Sequence, residues 1–333
     1  MEDKHLEDKH LLEIRDLHVS FPMGRETVRA VNGVSLTLEK GESLGVVGES
    51  GCGKSVTFSA VMRLLSSPPA VINGEILLNG RDIMKLTEKQ MQKVRGKEIS
   101  MIFQEPMRSL NPVMLIGKQI TEALLLHENM TRAEASERAL DLLRFVEIPD
   151  AGSRLNSYPH QLSGGLRQRV MIAIALACNP QILLADEPTT ALDVTIQAQI
   201  LDLLKRLQAE AGMSIVMITH DLGVVADIVD KVAVFYAGSV VEQADRETIF
   251  GDPKHPYTSG LLKCIPTLGT SAKRLPVIEG NIPNPSDLPE GCAFRTRCRY
   301  ATDLCRAEKP PQVECGPGHY CMCHYAGQIE NLI

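Results

Sequence analysis

GESGCGKS, Gly48–Ser55, satisfies every fixed position of the pattern G-x-x-x-x-G-K-[ST]. Its glycines let backbone N–H groups turn toward an anion, and a helix starting at the lysine would add positive potential from its N-terminus. The flanks agree with that reading. GESLGVV (41–47) is an apolar run that suits a buried strand, and KSVTFSAVMRLL (54–65) has helical spacing. Strand, glycine loop and helix in succession describe a phosphate-binding α/β unit. Lys54 is expected to reach the phosphates and the Ser55 hydroxyl to bind Mg²⁺. Gly48, Glu49, Ser50, Gly51, Cys52 and Gly53, with Val56 just beyond, complete the expected nucleotide contacts. Cys52 occupies a variable position and reads as a small filler, not a nucleophile.

Working outward, LLEIRDLHVSF (11–21) and VRAVNGVSLTL (28–38) alternate apolar residues as strands do, and residues from about 115 to 160 read as mainly helical. QILLAD (181–186) and SIVMIT (214–219) are further buried-strand candidates. Apolar strands alternating with helices imply a largely parallel sheet whose functional edge is the carboxyl edge. ILLADEP ends in Asp186, placed to bind metal, followed at once by Glu187, placed to polarise an attacking water.

Composition bounds the rest. The chain has 333 residues and a net charge of −6, with no run of lysines and arginines, so a nucleic-acid surface is not expected. The longest apolar run, Val170–Cys178, is well short of the ~20 residues that span a bilayer. The start, MEDKHLEDKHLLEI, is acidic and polar and contains EDKHL twice; residues 1–10 read as a flexible leader, and a cytosolic location is expected. Six of the nine cysteines lie beyond residue 290. In a reducing compartment that crowding points to metal ligation before disulfides.

QLSGGLRQR, Gln161–Arg169, resembles the signature of the ABC transporter ATPases, and FQEP (103–106), ALD (191–193) and ITHD (218–221) fall in that family's order. The resemblance implies a P-loop ABC cassette: a RecA-like core with antiparallel β and helical subdomains, spanning about 11–255 with the helical part at about 105–165. It gives Gln104 a contact to Mg²⁺ and water, makes Asp193 the family's D-loop aspartate among the nucleotide-binding residues, and gives His220 a contact to the γ-phosphate and the attacking water. Ser163, Gly164 and Gly165 would close over ATP held by a second cassette, and an aromatic ring, Phe21 by position, would stack on adenine. Leu166 departs slightly from the residue common after that signature.

Longer stretches, among them DEPTTALDVTIQAQIL (186–201) and HPYTSGLL (255–262), look like the dipeptide/oligopeptide importer ATPases, a group that includes nickel and glutathione importers. That resemblance implies a second, homologous ATPase as partner, two transmembrane permease subunits, an extracytoplasmic substrate-binding protein, and a place on the cytoplasmic face of the membrane. It also implies a C-terminal extension, 256–333, with a cysteine motif, here PEGCAFRTRC (289–298), that binds a [4Fe–4S] cluster. Cys292, Cys298 and Cys305 match; Cys323 is the fourth by its position before a histidine, with Cys315 and Cys321 left as alternatives and zinc as the competing metal. A small, irregular metal-binding module is therefore expected after the cassette.

Overall fold

The computed structural model describes residues 10–190, 192–265 and 277–329. The leader expectation thus falls, residue 10 apart, outside the described residues. In chain order the elements are β1 (Leu12–Met23), β2 (Glu26–Leu38), β3 (Ser43–Val47), α1 (Lys54–Val61), β4 (Val71–Leu78), β5 (Arg81–Asp82), α2 (Glu88–Val94), β6 (Ile99–Ile102), α3 (Pro106–Ser109), α4 (Ile116–His127), α5 (Arg132–Phe145), α6 (Ala151–Arg154), α7 (Gly164–Leu176), β7 (Ile182–Asp186), α8 (Val194–Ala211), β8 (Ser214–Thr219), α9 (Leu222–Ala226), β9 (Lys231–Tyr236), β10 (Ser239–Asp245), α10 (Arg246–Gly251), α11 (Pro256–Lys263), α12 (Asp303–Ala307), β11 (Val313–Gly316) and β12 (His319–Cys321). The expected strands at 11–21, 28–38, 41–47, 181–186 and 214–219 are all present.

The chain packs as two compact units, Met1–Met84 with Met217–Ile333, and Lys85–Val216. The first holds two β systems. One is an antiparallel sheet in the order β2-β1-β4-β5. Its strands carry mixed burial, as one-sided antiparallel sheets do. In the other, β3 and β9 run parallel, Leu44 opposite Lys231 through Val47 opposite Val234, and β10 pairs antiparallel with β9. Every residue of β3 is buried, which explains the unbroken apolar reading of SLGVV.

The C-terminal cysteine-rich part departs from the expected separate, irregular module. β12 pairs antiparallel with β10, Cys321 opposite Glu242, and β11 pairs with β12. The arm is therefore hydrogen-bonded into the sheet, because an edge strand offers unpaired N–H and C=O groups that another strand satisfies. Aromatic packing adds to that. Phe294 sits edge-on to Tyr236, with centroids 5.1 Å apart, and 5.4 Å from Tyr257. Each such pair contributes roughly 0.5–1.5 kcal/mol beyond burial.

In the second unit β6 and β7 run parallel, Ile99 opposite Ile182. The helices α4 and α5 pack on one another and on α7. Thr131 starts α5 with a reciprocal capping box to Glu134, the motif visible in TRAE. α7 is buried along most of its length, from Gln168 to Leu176, which is why its sequence shows no amphipathic period. β8, wholly buried, straddles the division between the units.

Candidate functional site

Backbone geometry fixes the loop between β3 and α1. Gly48 has φ +150°, Gly51 +81° and Gly53, the residue capping α1, +104°. A Cβ on Gly48 would stand 2.3 Å from the Phe235 carbonyl oxygen, and one on Gly53 2.4 Å from that of Ala30. Only glycine fits both positions. The loop is braced from behind: the Gly238 N–H donates to the Cys52 carbonyl (2.9 Å), and the Asn32 N–H to the Gly238 carbonyl (2.7 Å). The Lys54 side chain is buried, and its Nζ donates to the carbonyls of Gly48 (2.6 Å) and Glu49 (3.0 Å). A buried ammonium is thus held inside the loop by neutral carbonyls, available to an anion that offers better acceptors. α1 has no acidic residue in its first turn to offset that potential, and Ser55 is exposed there. Cys52 is buried and its thiol is pushed up by that burial, so it packs and does not react. Phe21 lies half-buried in β1 opposite Val28, and His220 is exposed just after β8.

The second unit assembles two constellations from distant sequence. In the first, Asp186 ends β7, buried, and Glu187 follows with φ +46°. A glutamate in the left-handed region is uncommon and marks local strain of the kind found at functional sites. Its Oε2 accepts from Gln104 Nε2 at 2.7 Å and from Thr190 Oγ1 at 2.8 Å. The glutamine of FQEP and the glutamate of DEP, 83 residues apart, are therefore in direct contact.

In the second, Ser163 caps α7, its Oγ accepting the Leu166 N–H (3.4 Å), while Asp193 caps α8 by accepting the Ile196 N–H (3.1 Å). Ser163, Gly164, Gly165 and Asp193 line one concave surface with Glu147 and Arg169. Sequence reading did not single out those last two. Arg169 is buried and donates to the Val146 carbonyl (2.7 Å) and to Glu147 Oε2 (3.0 Å). These hydrogen bonds, with Arg206 as a second donor, hold the Glu147 carboxyl below its usual range. An arginine leading directly into the apolar run VMIAIALAC was the available signal.

The arm gathers four thiols. Cys292, Cys298, Cys305 and Cys323 line a common pocket with Phe294, Tyr300 and Tyr325. Burial, then the neighbouring thiol charges of Cys292, Cys298 and Cys305, pushes Cys323 up to about 11. Cys292 and Cys298 are raised too, by burial first and by their sulfur neighbours after it. Cys315 and Cys321 do not line that pocket and interact with one another, with Cys321 fully buried on β12. Among the described residues, no group of three or more His, Cys, Asp or Glu is arranged so that it could hold a metal ion. No described helix is long and apolar enough to cross a membrane.

Comparison with known proteins places these features in a family. The sequence model of the ABC transporter family matches residues 31–190, and that of the oligopeptide/dipeptide transporter C-terminal region matches residues 241–305. The chain is 53% identical to the oligopeptide transport ATP-binding protein OppD of Bacillus subtilis, over 93% of this chain and 87% of that one. It is 48% identical to the dipeptide transport ATP-binding protein DppD of Escherichia coli, over 95% and 96%. Among solved structures it resembles the dimeric ATP-binding cassette MJ0796 in a post-hydrolysis state bound to ADP and Pi, at a TM-score of 0.64 and 31% identity, covering 71% of this chain and 98% of that one. A chain with this phosphate loop, this signature helix start and this extent of identity belongs to the ABC transporter ATP-binding proteins of the oligopeptide/dipeptide type.

Proposed function

We propose that this chain binds and hydrolyses ATP to drive import of dipeptides or oligopeptides. The observation that carries this reading is the match of residues 241–305 to the peptide-transporter C-terminal region on the same chain as an intact phosphate loop. Lys54 and the loop N–H groups bind the phosphates, with Phe21 against the adenine. Ser55, Gln104 and Asp186 are the oxygen ligands for Mg²⁺, which screens phosphate charge when bound. Glu187 draws the proton from the attacking water, a role worth about 10²–10⁴-fold in rate, or roughly 3–5 kcal/mol of barrier. Its hydrogen bond from Gln104 supports this, since a change at Gln104 would reach the general base directly. His220 stabilises the γ-phosphate.

Ser163, Gly164, Gly165 and Asp193 act on nucleotide held by a second, homologous cassette in a head-to-tail heterodimer. That partner, two transmembrane permease subunits, which this chain binds at the membrane's cytoplasmic face, and an extracytoplasmic substrate-binding protein complete the assembly. The cassette runs from about residue 11 to 255, with its helical subdomain at about 105–165 and the extension from 256 onward. In that extension Cys292, Cys298, Cys305 and Cys323 ligate a [4Fe–4S] cluster. Their shared pocket supports this reading, since such a cluster needs four thiolates together. When bound, the cluster staples an arm of few apolar residues.

The reading is tested by replacing the native chain in cells with Glu187→Gln and following uptake of a labelled dipeptide, a longer peptide and nickel. Peptide uptake should fall at least about a hundredfold while ATP still binds. Loss of nickel uptake alone would reassign the cargo, and persistence of all three would overturn the transport reading. For the arm, anaerobically purified protein should carry about four irons per chain with acid-labile sulfide. Cys323→Ser should lose them and Cys321→Ser should keep them; zinc in place of iron would overturn the cluster.

A further inference from the structure

The arm reaches the phosphate loop through one side chain. Arg297, the residue before Cys298, has a side chain only 2% exposed. Its guanidinium donates to both carboxylate oxygens of Glu49, at 2.6 and 3.1 Å, and to the carbonyls of Ile278 (3.1 Å) and Glu279 (3.0 Å). It also lies 5.8 Å from the centre of the Tyr236 ring. Glu49 is the residue after Gly48 and the only acidic one within the loop. Its N–H donates to the Tyr257 hydroxyl at 3.0 Å, and its carbonyl accepts from Lys54 at 3.0 Å. The Tyr257 ring packs in turn on Phe294, which lies between Cys292 and Cys298. Glu49 is therefore fixed at carboxylate, N–H and carbonyl, and two of the three restraints depend on the arm.

An acidic side chain in a loop built to collect anions works against the loop's purpose, since an unpaired carboxylate close to phosphates repels them in a partly buried site. A bidentate guanidinium neutralises that charge and fixes its direction together, which a lysine could not do. We propose that Arg297 is a positioning residue for the phosphate loop: by pinning and neutralising Glu49, it lets the cysteine-bearing arm set the affinity for nucleotide. This rests on the loop being the nucleotide site. It goes beyond the arm as a mere staple, because the arm and the loop then report on one another by linkage.

The test is a double-mutant cycle on the full-length protein, reading the dissociation constant for Mg-ADP by calorimetry. Arg297→Gln should weaken binding about tenfold, the size expected when a partly buried carboxylate loses its bidentate guanidinium partner. Glu49→Gln removes the charge that needs neutralising, so Arg297→Gln added to it should change affinity by less than about threefold. If Arg297→Gln binds within about twofold of wild type, or if the double variant is as weak as Arg297→Gln alone, the proposal is overturned, the second result assigning Arg297 to folding of the arm. Should Arg297→Gln not accumulate folded, Arg297→Lys should bind about threefold more weakly, and Glu49→Gln should erase that loss; unchanged affinity overturns the proposal. Failure of the wild-type chain to bind Mg-ADP at all would instead break the nucleotide-site reading.

Discussion

The phosphate loop before α1 and the signature turn before α7 both put glycines at the start of a helix, but Gly48 and Gly53 of the first and Gly164 of the second are there for different reasons. At the phosphate loop the glycines serve the chain itself. Gly48 and Gly53 have φ values that side chains disfavour and sit against carbonyl oxygens at distances no Cβ can occupy. The cap of α1 is itself a left-handed glycine with no side-chain hydrogen bond. At the signature turn the cap is Ser163, whose hydroxyl satisfies a helix N–H, and neither Gly164 nor Gly165 has positive φ. A Cβ on Gly164 would meet nothing closer than Leu192 at 3.9 Å. At Gly164 the chain's own fold does not require glycine, whereas a Cβ on Gly165 would meet Ile196 Cγ2 at 2.9 Å. The smallness of Gly164 keeps the exposed surface of the turn bare, which on the proposed function leaves room for the partner's nucleotide.

Substitutions can break that contrast. The largest effect is expected for Gly53→Ala, which meets both the left-handed penalty and the Ala30 carbonyl at 2.4 Å. Strain of at least about 3 kcal/mol should cut nucleotide affinity more than a hundredfold, measurable by calorimetry with Mg-ADP. Gly164→Ala should leave urea-unfolding stability within about 0.5 kcal/mol of wild type. On the proposed function, ATP hydrolysis by the assembled pair should still fall about tenfold, because the methyl stands where the partner's nucleotide is received. Loss of stability without loss of hydrolysis would show that the two turns obey the same rule after all. The smallest effect is expected for Ser163→Ala. Its capping bond is long, 3.4 Å, so unfolding should become easier by about 0.5–1 kcal/mol.

Sequence periodicity located the strands because buried parallel strands are uniformly apolar, as in β3, β7 and β8, and it located the loop because a strand and a helix must flank it. It could not find the arm's place in the sheet. β12 is three residues long, and its pairing with β10 rests on backbone groups that carry no side-chain signature. Nor could it pair Arg169 with Glu147, or Arg297 with Glu49, since contacts across 22 and 248 residues are decided by packing.

The sequence by itself determined the chemistry: a lysine and glycines at fixed spacing, two adjacent carboxylates after an apolar run, and an excess of thiols near one end. These are local patterns, and the residue types that bind phosphate, water or metal are few enough to be read from spacing. The tertiary structure alone decided which of those groups meet. It placed Gln104 against Glu187, gathered Cys323 with Cys292, Cys298 and Cys305 while turning Cys321 into the sheet, and brought Arg297 to the phosphate loop. The reason is physical: chain connectivity fixes neighbours only within a turn or a strand, whereas burying an arginine or a thiol obliges the fold to supply partners from wherever the chain returns.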